Sequence, residues 1–134
     1  MRIIELPFFL LVFVVLSSCS SAENAQLLAK QAAEARFNDE VELIPNEIKS
    51  FVICSNRPKV RPGHPLRPLR FVVFDLDNKR IVYEDSLESA DVYWLTNTRI
   101  QVHLIPEVIS ADEEPTGYMY DLISQTRHPF VKDH

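Results

Sequence analysis

Phe71-Val72-Val73-Phe74-Asp75-Leu76-Asp77-Asn78-Lys79-Arg80-Ile81 decides the fold class. From Arg70 to Leu76 the residues are apolar on both faces, the pattern of a central strand covered from either side. Asp77-Asn78-Lys79 then turns the chain, and Arg80 to Glu84 returns as a second strand. A connection this short makes an antiparallel hairpin, because parallel neighbours need a crossover of about a dozen residues or more.

The same grammar continues on both sides. Upstream, Glu47 to Cys54 reads as a strand, with a shorter one at Val41 to Ile44. A proline-rich connector, Asn56 to Pro68, separates it from the central strand. Downstream, Val92 to Thr96 leads through Asn97-Thr98 into Arg99 to Ile105. There Ile100, Val102 and Leu104 face one way and Arg99, Gln101 and His103 the other, so one side is wet. Pro106 to Pro115 is an acidic loop, Gly117 to Ser124 a strand with Tyr118, Tyr120 and Leu122 on one face, and His128 to Val131 a final short pairing.

A faint repeat runs through these segments. Phe74 to Ile81 lines up with Tyr93 to Ile100, and Tyr120-Asp121-Leu122 echoes Phe74-Asp75-Leu76. Each unit reads as aromatic residue, polar turn, basic residue and β-branched strand, which resembles the hairpin of a β-propeller blade. A propeller needs at least four blades of about 40 residues, and this chain holds one or two. The expected body is therefore mainly β: a small antiparallel meander, sandwich or partial barrel.

Ahead of it lies an unbroken apolar run, Leu6 to Leu16, of signal-peptide length and shorter than the roughly 20 residues of a membrane span. Leu16-Ser17-Ser18-Cys19 follows and resembles the lipobox of bacterial lipoproteins. The resemblance implies that residues 1–18 are removed, that Cys19 becomes the mature N-terminus and that its sulfur carries diacylglycerol, with palmitate-type chains on the mature end. Ser20, rather than Asp, after the cysteine leans towards the outer membrane of the cell envelope. The n-region is lightly charged, with Arg2 and Glu5, and plain secretion with cleavage near Ser20-Ser21-Ala22 is the competing reading.

Ser20 to Glu23 has the form of a capping box, and Ala25 to Phe37 reads as a helix with Leu27, Leu28, Ala32 and Ala35 as its apolar stripe. The stripe is narrow enough that packing on the domain and spacing it from the lipid are both open. The organisation expected is a signal helix over 1–18, a lipidated N-terminus and short spacer helix over 19–40, and one antiparallel β domain over 41–134.

After cleavage about 116 residues remain, one small domain, with net charge -5. That acidity argues against nucleic-acid binding. Of two cysteines the lipobox takes one, which leaves Cys54 within Phe51-Val52-Ile53-Cys54 as a buried thiol without a disulfide partner. His64, His103, His128 and His134 show no metal-ligand spacing, and no metal or cofactor is expected. With only Gly63 and Gly117, no phosphate-cradling loop is available.

Three constellations bear on chemistry. Asp75 and Asp77 at the end of an apolar strand resemble the first motif of haloacid-dehalogenase-type phosphatases, where one Asp attacks phosphorus and the second is the general acid. Asn78-Lys79 departs from that motif, and hairpins follow instead of a helix and parallel strands, so a metal-assisted phosphatase-like hydrolase is the alternative and a solvated turn the leading reading. Arg57, Lys59, Arg61 and Arg67 lie among Pro58, Pro62, Pro65 and Pro68, and the spacing of three from Pro62 through Pro68 suits polyproline II. Such a strip can meet an anionic lipid, an acidic glycan or an envelope protein partner, or serve as a stiff crossover kept soluble by charge. Tyr93, Trp94, Tyr118 and Tyr120 form either a carbohydrate-binding face or a packed core; Tyr93 and Trp94, being adjacent, must point oppositely. The function expected is that of a membrane-tethered, non-catalytic binding or accessory module of the envelope.

Overall fold

The computed structural model describes residues 6–106 and 116–130, with side chains from Ser21 onward. In chain order the elements are α1 (Leu6–Phe37), β1 (Glu42–Pro45), β2 (Phe51–Asn56), β3 (Leu69–Asp75), β4 (Arg80–Leu87), β5 (Ala90–Trp94), β6 (Arg99–Leu104), β7 (Thr116–Asp121) and β8 (Thr126–Pro129). The first four strands form one antiparallel sheet in sequence order and the last four form a second. The protein is mainly β, as the hairpin grammar requires, and the two meanders pack as a small sandwich.

The sheets meet face to face. Ile53, Leu69, Phe71 and Val73 of the first sheet pack with Ala90, Ile100, Val102, Tyr118 and Leu122 of the second sheet and its turn. Ile53, Phe71, Val73, Ile100 and Val102 have no exposed surface. Burying an aliphatic or aromatic side chain of this size contributes about 1.5–3 kcal/mol. The ion pairs Lys30–Glu34, Arg36–Glu84, Arg57–Asp91 and Arg99–Asp121 are partly exposed, and such pairs contribute about 0–1 kcal/mol each. The apolar interface therefore dominates cohesion.

The far face of the first sheet, carrying Val52, Cys54, Val72, Phe74 and Leu76 from its edge, is covered by Ala25, Ala29 and Ala33 of α1. These alanines recur every four residues and so share one helix face. The sequence stripe differs from this: Leu27 and Leu28 are half exposed and Ala35 is exposed, with only Ala32 beside the contact. Small side chains win because β3 already fills the space with Val72 and Phe74, so the helix backbone must come close. The Cys54 thiol reaches the Ala29 carbonyl at 3.8 Å.

The two sheets repeat one another's turn geometry. The echo of Phe74-Asp75-Leu76 in Tyr120-Asp121-Leu122 extends to the geometry of the β3–β4 and β7–β8 turns. Asp75 Oδ1 accepts from the backbone N–H of Asp77 and Asn78, both at 3.0 Å. Asp121 Oδ1 accepts likewise from Ile123 and Ser124 at 2.9 and 3.1 Å. Lys79 and Gln125 occupy the same left-handed position, each with φ 57°, and donate to the carbonyls of Asp75 and Asp121. Leu76 N–H donates to the Ser50 carbonyl as Leu122 N–H does to Thr98. By this alignment Phe74 answers to Tyr120, and Cys54 to Val102. The face of the first sheet that meets α1 thus corresponds to the face of the second that meets the first: the sheets stack head to tail. Across the opposite face of the second sheet, neighbouring strands present Tyr93, Gln101, Met119 and His128.

Two segments differ from the sequence reading. Residues 47–50 belong to a turn, which the Asn46 carboxamide oxygen closes by accepting the N–H groups of Ser50 and Phe51 ahead of β2. The strand read as Gly117–Ser124 ends at Asp121 for the turn reason given above. Gly117 itself is obligatory: its φ is 154°, and a Cβ there would lie 2.0 Å from the Val102 carbonyl oxygen. Most of the acidic loop read at Pro106–Pro115, and Val131 of the last pairing, lie outside the described residues.

If close helix approach sets the packing of α1, Ala29→Leu should destabilise the fold by about 1–3 kcal/mol through overpacking. Leu28→Ala, on the exposed side, should change stability by less than about 0.5 kcal/mol. Urea unfolding of the two variants checks both.

Candidate functional site

Strand polarity sorts the molecule into two ends. The four short reversals between paired strands, at 46–50, 76–79, 95–98 and 122–125, fall at one end. The connector 57–68 and the β4–β5 link fall at the other. Hydrogen bonds tie each end across the sheets. At the turn end, Asn46 Nδ2 donates to the Asn97 carbonyl at 2.8 Å, and Trp94 Nε1 to the Ile44 carbonyl at 2.8 Å. At the connector end, Ala90 N–H donates to the Arg67 carbonyl at 3.2 Å, and Arg67 N–H to Ser89 Oγ at 3.0 Å.

The four basic residues singled out from sequence lie at the connector end, but they do different work. Arg57 is a stitch: its guanidinium donates to the carbonyls of Arg67 and Ala90, at 3.3 and 3.0 Å, and to the Asp91 carboxylate. Lys59, Arg61 and Arg67 are exposed, and no ion pair among the described residues engages them. The connector is not one straight polyproline rod. It bends at Pro62-Gly63, where His64 N–H donates to the Arg61 carbonyl at 3.0 Å and Gly63 takes φ 82°. Close by, Asp39, Glu40, Glu42, Asn56, Arg57 and Lys59 line an open hollow of about 330 Å³. The Asp39 carboxyl is held below the usual range, chiefly by the hydrogen bond from Asn56. The end therefore juxtaposes a basic strip with an acidic patch.

Asp75 and Asp77 have different settings. Asp75 is 7 % exposed. Its second oxygen accepts from Asn78 Nδ2 at 2.7 Å, so both oxygens are committed to the turn. Burial pushes its carboxyl up, but the hydrogen bonds from Asn78 and Asp77 and the charge of Arg80 outweigh this and leave it lowered. Asp77 is exposed, and both flanking strands are antiparallel to β3. Nothing in this turn has the form of a two-carboxylate phosphoryl-transfer centre.

The aromatic set divides. Tyr93 is 43 % exposed on the second sheet's outer face, whereas Trp94, Tyr118 and Tyr120 pack into the core. There they meet residues the sequence did not single out. Tyr83 stacks on Tyr120 with ring centroids 3.8 Å apart. Its hydroxyl donates to Tyr118 Oη at 2.8 Å, and Tyr118 donates to Asp85 Oδ2 at 2.6 Å. The Arg127 guanidinium lies 3.6 Å from the Tyr118 ring centre. Burial, reinforced by Asp85 and Tyr83, pushes the Tyr118 phenol up, and burial raises Tyr83 as well. Both phenols stay protonated at neutral pH, so the cluster joins the sheets as a chain of donors rather than supplying a base. Its only sequence signal was the alternation Tyr83-x-Asp85, whose partners lie in another sheet.

Cys54 is free and buried, and burial pushes its thiol up to about 12, far from a reactive thiolate. His64 Nδ1 accepts from Leu66 N–H, and His128 pairs with Thr126. No three His, Cys, Asp or Glu groups gather as a metal site among the described residues. Compared with known proteins, the chain matches no family model, no curated protein and no solved structure.

Two outcomes follow from this geometry. A carboxyl whose folded value is depressed stabilises the fold above its unfolded value, about 4, and that contribution is lost as pH falls through the folded value. Asp75→Asn should therefore flatten the loss of stability between about pH 5 and pH 2 relative to the parent chain; urea midpoints across that range measure it. Tyr118→Phe leaves Tyr83 without its acceptor and Asp85 without its donor, and should cost about 1–3 kcal/mol, whereas Tyr93→Phe should be silent.

Proposed function

We propose that the chain is a lipid-anchored envelope lipoprotein whose sandwich is a non-catalytic binding or accessory module. The observation that carries this reading is the apolar run ending in Leu16-Ser17-Ser18-Cys19. A single acyl chain anchors only marginally, whereas the two or three chains of a lipoprotein hold it on the membrane.

The geometry supports a division of labour. α1 runs along the first sheet with Ala25 beside the turn end and Phe37 beside Arg70 at the connector end. Cys19 is two residues before Ser21, so the lipid leaves from the turn end. Lys59, Arg61 and Arg67 stand at the opposite end and project away from the bilayer that holds the lipid. Headgroups of that bilayer are out of their reach, which favours an acidic envelope protein or an anionic glycan as the strip's ligand. The outer membrane is the proposed location, on the strength of Ser20.

Mass spectrometry of the mature N-terminus tests the anchor: an acylated peptide beginning at Cys19 is expected, lost in Cys19→Ala. A mature chain beginning beyond residue 19 without acyl mass overturns it. Affinity capture from detergent-solubilised envelopes tests the strip. Replacing Lys59, Arg61 and Arg67 together by Gln should abolish a salt-sensitive capture by the acylated chain and leave its unfolding midpoint unchanged; capture that persists undiminished removes the strip from the site.

A further inference from the structure

The turn end is unusual in what it exposes. Ile48, Leu95 and Ile123 are 65, 46 and 70 % exposed, and each lies on a turn between paired strands, where polar residues are the rule. A single exposed apolar side chain is ordinary. These three are neighbours: Ile48 N–H donates to Asn97 Oδ1 at 3.2 Å, two residues from Leu95, and Leu122 N–H donates to the Thr98 carbonyl at 2.8 Å, placing Ile123 against the same turn. Ser21 and Ala22 of α1 share a hollow with Lys49, Leu76, Asp77 and Lys79 of the two turns beside them. The apolar tips and the route to Cys19 therefore occupy one end of the molecule.

We infer that this end docks on the bilayer that carries the chain's lipid, with Ile48, Leu95 and Ile123 entering the boundary between headgroups and acyl chains. The inference rests on the lipoprotein reading, which supplies the occupant. Lys49 and Lys79 are matched on the same turns by Glu47 and Asp77, so attachment is apolar and independent of anionic lipid, unlike a polybasic patch. The consequence is orientation. The strands stand upright on the membrane surface, and the connector end is held at the greatest distance from it.

Nitroxide labels read this directly in the full acylated chain, reconstituted in phosphatidylethanolamine–phosphatidylglycerol vesicles. Cys54 is buried and Cys19 acylated, so a cysteine introduced as Ser124→Cys or Val60→Cys takes the label alone. The Ser124→Cys label should be relaxed by oxygen rather than by a water-soluble nickel chelate, at low and high salt alike; the Val60→Cys label, on the connector, should show the reverse. Ile48→Ser, Leu95→Ser and Ile123→Ser combined should shift the first label into water while acyl mass and urea midpoint stay unchanged. An acylated chain whose two labels are equally water-accessible overturns docking and leaves the anchor standing. An unacylated chain whose Ser124→Cys label still enters the bilayer upholds docking and overturns the anchor, and one found wholly in water overturns both.

Discussion

The contact between Ile53, Phe71 and Val73 on one sheet and Ile100, Val102 and Tyr118 on the other is the constraint from which the rest follows. A four-stranded meander alone leaves one apolar face in water. The second sheet buries its apolar face on the first, and the first, apolar on both faces, then needs a second cover. The alanine face of α1 supplies it. A helix that the sequence leaves free to be a mere spacer becomes part of the packed body, because Val72 and Phe74 have nowhere else to go.

That stacking also gives the molecule two unlike ends. In a meander every tight turn between paired strands alternates with an open connection, so two meanders in register collect their turns at one end and their connectors at the other. The turn end receives α1's approach from Cys19, and the connector end receives Lys59, Arg61 and Arg67. Arg57, which looks equivalent in sequence, is drawn inward because the connector must be fixed to the start of the second sheet, and the carbonyls of Arg67 and Ala90 need donors there. The other three basic residues stay exposed.

The Asp75 turn shows one local pattern meeting two demands. A strand ending in Asp-x-Asp satisfies the local pattern of a phosphoryl-transfer motif, but a four-residue hairpin turn wants the same carboxylate to accept successive N–H groups. Asp121 performs that task in the second sheet with no second Asp beside it. The recurrence identifies the carboxylate's role as turn closure. It also gives a physical basis to the echo of Phe74-Asp75-Leu76 in Tyr120-Asp121-Leu122.

What the sequence determined by itself was local: period-two alternation and short polar turns marked most strands, their antiparallel pairing, and the opposite facing of Tyr93 and Trp94, because strand geometry and turn chemistry act within a few residues. What only the tertiary structure decided was whichever depends on partners far along the chain. Asn46 turns residues that read as strand because Asn97, from the other sheet, locks the turn in place. Tyr83, Tyr118 and Asp85 become one hydrogen-bonded chain only when the two sheets bring β4 and β7 together. The alanines rather than the leucines of α1 meet the sheet because close packing, not hydrophobicity alone, selects the face.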